Sequence, residues 1–147
     1  MEPSFVLEWD VNSLSNSLHI SEEDVIEYFT DGRRVSFLME RSVRNHLGWK
    51  LAPSEGAAFD LVDENNNRWE VRSISNKIYF CPSYMVGSGR DFELEGFMEK
   101  LDRISGYVLT DIKEFPSARV WQVSVDTVRN WWDQGELGEK THISREK

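Results

Sequence analysis

Asp60, Glu70 and Arg72 are the residues whose types and spacing could do chemistry together. They fall in the stretch Phe59 to Ser75, FDLVDENNNRWEVRSIS. Ala58 to Val62 is β-prone, and Trp69 to Ile74 alternates large apolar with polar residues. Glu64-Asn65-Asn66-Asn67 between them is turn chemistry, because Asn tolerates positive φ and bonds its own backbone. The pattern predicts an antiparallel hairpin. Glu70 and Arg72 leave the same face of its second strand, while Trp69 and Val71 point into a core. A register that sets Asp60 across from them gathers two carboxylates and a cation on one sheet face. Charges in an apolar sheet are costly unless paired or bound to metal. Two carboxylates with an open side suit Mg²⁺, which binds through one or two carboxylates plus water and phosphate. A nearby cation could orient an attacking water and stabilise charge building on a phosphate. The bland alternative is a half-buried hairpin with Glu70 and Arg72 in solvent and Asp60 starting a turn.

Asp60, nine intervening residues and then Glu70-Val71-Arg72 resembles the PD-(D/E)xK nuclease motif. The nearest likeness is to small homodimeric type II restriction endonucleases, over roughly Leu38 to Val125. Phe59 stands where that family often has Pro, and Arg72 where it usually has Lys. Arg cannot accept a proton, so a general-base role is excluded at Arg72, while charge stabilisation and water positioning stay open. The resemblance implies a restriction-endonuclease-like core and a Mg²⁺-dependent DNA endonuclease, with Mn²⁺ as a substitute. Asp60 and Glu70 would hold the metal, and Arg72 would position the water or the scissile phosphate. It also implies a metal-site role for a Glu on the preceding helix, which here is Glu40. The bland reading of Glu40 is a surface carboxylate paired with Arg44 at i,i+4. The expected substrate is double-stranded DNA cut by a homodimer, because two strands need two sites.

The elements that must carry these residues follow from periodicity. Phe5 to Trp9 reads as an edge strand, and Asn12 to Asn16 as a loop with helix-start character. Ser21 with Glu22-Glu23-Asp24 starts a helix that stops near Asp31-Gly32. Arg33 to Leu47 is a second helix, with Val35, Leu38, Met39, Val43 and Leu47 as its stripe and Gly48 just past its end. After the hairpin, Lys77 to Cys81 continues the sheet. Glu93 to Ile104 is an amphipathic helix, Tyr107 to Thr110 and Arg119 to Val125 are strands, and Asp126 caps a helix to Trp132. The order gives an α/β class with a mixed β-sheet flanked by helices.

The chain has 147 residues and a net charge of −9. That length supports a single domain over 1–147, with a strand-and-helix extension at 1–32, a core at 33–132 and a basic tail at 133–147. The charge counts against diffuse nucleic-acid binding but not against one local basic cleft. The cations offered to nucleic acid are Arg41, Arg44 and Arg90, with Ser88 in the loop Gly87-Ser88-Gly89-Arg90. The bland reading of that loop is a plain connector, and of the tail a solvated terminus. Trp131 and Trp132 read as core packing, the alternatives being a dimer surface or a stack for bases. The single cysteine, Cys81, excludes an intrachain disulfide, and His19, His46 and His142 lack metal-ligand spacing. No apolar run approaches a membrane span, and Met1-Glu2-Pro3 opens acidic, so the expected compartment is the cytoplasm. The rival to the nuclease is a non-catalytic protein- or nucleic-acid-binding module on the same fold.

Overall fold

The computed structural model describes residues 2–53, 59–75, 77–82, 85–86 and 91–144. In chain order these form β1 (Phe5–Glu8), α1 (Val11–Leu18), α2 (Glu22–Phe29), α3 (Gly32–Leu47), β2 (Lys50–Leu51), β3 (Leu61–Val62), β4 (Arg68–Ile74) and β5 (Lys77–Tyr79). Then come α4 (Leu94–Arg103), β6 (Gly106–Asp111), β7 (Ser117–Ser124), α5 (Val125–Asp133) and β8 (His142–Ser144). The protein is α/β. Its six-stranded sheet has the order β1-β7-β6-β4-β3-β2. β4 and β6 run parallel and the other neighbours antiparallel, with α4 in the crossover between the parallel pair.

β6 is buried at every position, as a central strand with both faces covered must be. Its alternation sorts the core into two layers. Val108 joins Val43 of α3, Leu61 and Val120 on one face. Tyr107 and Leu109 join Phe97 and Leu101 of α4 and Val128 of α5 on the other. β4 obeys the same alternation, with Trp69 and Val71 on the α3 side and Ile74 on the α4 side. Each large apolar side chain moved out of water in these layers contributes about 1.5–3 kcal/mol before entropy is charged against it.

Local chemistry fixes the ends of α3. Asp31 caps it, its carboxylate accepting from Arg33 N at 2.9 Å, and Gly48 ends it at φ 73°, in the left-handed region that Gly enters without strain. A third cluster, Val25, Phe29, Val35, Met39, Ile112 and Phe115, ties α2 and α3 to the turn after β6. Gly106 is required for a different reason. A Cβ there would lie 2.5 Å from the Trp69 ring and 2.5 Å from Val123 O.

Four expectations change. Residues 11–18 are helical rather than loop, because Asp10 caps them with its side chain on Ser13 N at 3.2 Å. α5 begins one residue earlier, capped by Ser124 rather than Asp126. β5 does not extend the main sheet; it pairs with β8 in a separate two-stranded sheet. The segment read as a solvated tail therefore supplies a strand at His142–Ser144, whose backbone bonds are satisfied by Lys77 to Tyr79. Trp131 and Trp132 pack against the core that holds Phe80 and Phe97. Among the described residues no helix is long and apolar enough to cross a membrane.

Candidate active site

The β3–β4 hairpin owes its register to a residue that sequence reading passed over. Asp63 Oδ1 accepts from Asn65 N at 2.9 Å and Asn67 N at 2.8 Å, and its Oδ2 accepts from Trp69 Nε1 at 3.0 Å. Burial pushes this carboxyl up, but the hydrogen bonds outweigh it and hold it below the usual Asp range. Asn66 takes φ 69° at the tip, as the Asn-rich turn requires. The turn is thus started by Asp63, not Asp60.

With that register, Leu61 faces Trp69 and Val62 faces Arg68. One step further sets Asp60 opposite Glu70, and Asp60 N donates to Trp69 O at 2.9 Å. Regular pairing by β3 covers only the start of β4. Beyond it the Asp60 side chain takes over, its Oδ2 accepting from Val71 N at 2.8 Å. The carboxylate is fixed by the backbone of the strand it serves.

Glu70 is held differently. Its Oε1 accepts from Arg72 at 3.1 Å and its Oε2 from Lys100 Nζ at 2.5 Å. All three side chains are close to nine-tenths buried, so the cluster is a sheltered ion triad. Arg72 also donates to Tyr79 O at 3.4 Å, while its buried Nε has no partner among the described residues. Lys100 was not foreseen. Its signal was a cation on the buried stripe of α4, beside Phe97, Leu101 and Ile104, where a lysine must find a carboxylate or leave.

Glu40 reaches the same place from α3. It lines a cleft of about 580 Å³ together with Asp60, Glu70 and Arg72. It is not paired with Arg44, which donates to Asn45 instead. Burial, then the Asp60 charge and also that of Glu70, push its carboxyl to about 7, against a pull from Arg41. Asp60 is pushed to about 6 by burial and then by Glu70, against Val71 N–H, Arg72 and Lys100. The structure therefore brings Glu40, Asp60, Glu70 and Arg72 to one cleft. Arg41 lines an adjoining cavity, and Arg44 lines neither. Ser88 and Arg90 lie outside the described residues.

The donor set bears on magnesium in two ways. Among the described residues no three His, Cys, Asp or Glu side chains form a ready metal cluster. Magnesium asks for less, since one or two carboxylates suffice when water and substrate phosphate complete its shell. Asp60 and Glu40 are hard-oxygen donors whose pKa values burial and neighbouring carboxylates raise, the condition a divalent cation relieves. Glu70, with both oxygens taken by cations, fits a metal less well than it fits the triad. No protein-family model, no curated protein and no solved structure matches the chain.

Proposed function

We propose that the chain is a Mg²⁺-dependent phosphodiesterase acting on DNA, with Glu40, Asp60, Glu70, Arg72 and Lys100 as its working groups. The observation that carries this reading is that three carboxylates line one cleft, two of them with pKa values pushed up first by burial and then by a carboxylate neighbour, Asp60 by Glu70 and Glu40 by Asp60 and Glu70. Such an arrangement opposes folding at neutral pH, and perturbed groups of this kind concentrate at functional sites.

Asp60 and Glu40 would hold the cation. When bound, it would polarise the phosphate and lower the pKa of a coordinated water. Asp60 is preorganised for this by Val71 N–H, so little reorientation is needed on binding. Glu70 does not meet the phosphate first; it anchors Arg72, which lines the cleft, and pairs with Lys100. Those two cations supply the charge that answers a pentacoordinate phosphate.

A second reading has its own support. Both oxygens of Glu70 are satisfied by Arg72 and Lys100, as a purely structural triad would have them. With the net charge of −9, that suits a non-catalytic binding module. Incubation with long DNA in Mg²⁺ or Mn²⁺ separates the two. Cleavage abolished by Asp60→Asn supports the enzyme. Intact DNA with both metals, from protein shown to be folded, sinks it.

A further inference from the structure

Bordering its buried stripe, α3 presents Arg33, Ser36, Phe37, Glu40 and Arg41 at spacings of three and four, one continuous face of the helix. This face serves two cavities. The larger is the carboxylate cleft; the smaller, of about 300 Å³, shares Ser36, Glu40 and Asp60 with it and adds Phe37, Arg41 and Phe59. Phe37 is 64% exposed, the most exposed large apolar side chain described, and contributes nothing to the core. The Arg41 guanidinium lies 3.4 Å from its ring centroid and is steadied by donating to Phe37 O at 3.3 Å. Phe59 on the far wall repeats the pairing, with the Arg68 guanidinium 4.9 Å from its ring.

Stacked guanidinium and phenyl planes offer what a nucleobase needs, a flat polarisable surface beside positive charge. A base inside a duplex has both faces covered by its neighbours, so only an unpaired base can use such a surface. We propose that Phe37 and Arg41 form a stacking shelf for one unpaired base of the strand whose phosphate lies at the Asp60–Glu40 carboxylates. The ligand is then a single-stranded or frayed nucleic acid rather than a continuous duplex. The proposal rests on the phosphodiesterase reading for where the phosphate lies, while the shelf itself rests on Phe37, Arg41 and Phe59.

The test uses a short fluorescent oligodeoxynucleotide in three forms: single-stranded, paired with its complement, and single-stranded with abasic sites replacing its central nucleotides. Anisotropy is read in Ca²⁺ so that the strand stays intact. The single strand should bind at least tenfold more tightly than the duplex. Removing the bases should weaken binding roughly tenfold, the size of one lost base–aromatic stack. Phe37→Ala should bind the normal strand roughly tenfold more weakly and no longer distinguish it from the abasic one, and Phe37→Trp should restore the distinction. Equal affinity of wild type for normal and abasic strands, undetectable binding, or a Phe37→Ala protein that still discriminates, overturns the shelf. A parallel Mg²⁺ assay separates the two ideas. Asp60-dependent cleavage without base discrimination leaves the phosphodiesterase standing and the shelf refuted. Base discrimination without cleavage supports the shelf and refutes the phosphodiesterase.

Discussion

Lys100 Nζ stands 2.5 Å from Glu70 Oε2, joining residues thirty positions apart in the chain. α4 exists in this fold as the crossover that lets β4 and β6 run parallel. The same helix, by burying Phe97 and Leu101, sets a lysine between them against the sheet. The topology and the cation thus come from one element. Glu70 is compensated on both oxygens, whereas Asp60, on the adjacent segment, receives only a backbone N–H among the described residues.

Removing that lysine should expose how far Glu70 depends on it. A sheltered ion cluster that loses one member leaves a charge poorly compensated in low dielectric, at a cost of about 3 kcal/mol. Lys100→Ala is expected to lower the urea midpoint by an amount of that order. Its cleavage should fall by roughly 10², as for loss of one donor to a transition state. Lys100→Arg, which keeps the charge on Glu70, should recover most of the stability. A stability change under about 0.5 kcal/mol for the alanine variant would show that Arg72 alone holds Glu70.

What could be read from the chain alone follows from how local each signal is. The hairpin, the ends of α3 and the helix over 94–103 were legible because turn residues, caps and periodicity lie within a few positions of one another. Asp60, Glu70 and Arg72 were legible for the same reason, being tied by a single turn. Lys100 was not, because its partner comes from another element and only the parallel crossover brings them together. The pairing of β5 with β8 was hidden likewise, since a short strand at 142–144 has no pattern of its own. The helix over 11–18 was missed because its Ser and Asn content resembles a loop, and the Asp10 cap decides it. Asp63 was overlooked beside the more chemically suggestive Asp60.

Stability should fall with rising pH because of Glu40 and Asp60. Both have folded pKa values above the ordinary ones, near 7 against 4.5 and near 6 against 3.8. The protonated forms therefore favour the fold. Their contribution is complete below about pH 4 and is lost as pH rises through 6 and 7. Asp60→Asn, which keeps an acceptor for Val71 N, is expected to gain about 1–2 kcal/mol over wild type at about pH 8. Glu40→Gln, half-exposed and screened, should gain no more than about 1 kcal/mol. Both gains should vanish near pH 4. Mg²⁺ added at the higher pH should raise the melting temperature of wild type and not of Asp60→Asn. Urea and thermal melts at the two pH values check each part, and a wild-type stability that does not change between them refutes the argument.

Asp63 offers a test of the hairpin apart from the chemistry. Asp63→Ala removes the acceptor for Asn65 N, Asn67 N and Trp69 Nε1. These donors can turn to water, so the expected loss of stability is no more than about 1 kcal/mol. Activity should suffer more, because the register that sets Asp60 opposite Glu70 loosens. Amide exchange at Val71, whose N–H bonds to Asp60, should quicken in the variant while amides of β6 stay protected. Unchanged exchange at Val71 would mean that Asp60 holds its place without the turn.

Arg72 gives the sharpest division between structure and chemistry. It spans Glu70 and Tyr79 O, yet leaves a buried Nε–H without a partner among the described residues, which costs about 1–3 kcal/mol. Arg72→Lys surrenders one hydrogen bond but also removes the orphan donor, so its stability should stay within about 1 kcal/mol of wild type. Its ammonium keeps the charge on Glu70, and cleavage should remain within roughly tenfold. Arg72→Ala leaves Glu70 to Lys100 alone, and should lose roughly 10² in cleavage rate if the guanidinium answers charge on the phosphate. Cleavage by Arg72→Ala at the wild-type rate would assign Arg72 to the wall of the cleft and leave Lys100 as the cation that meets the substrate.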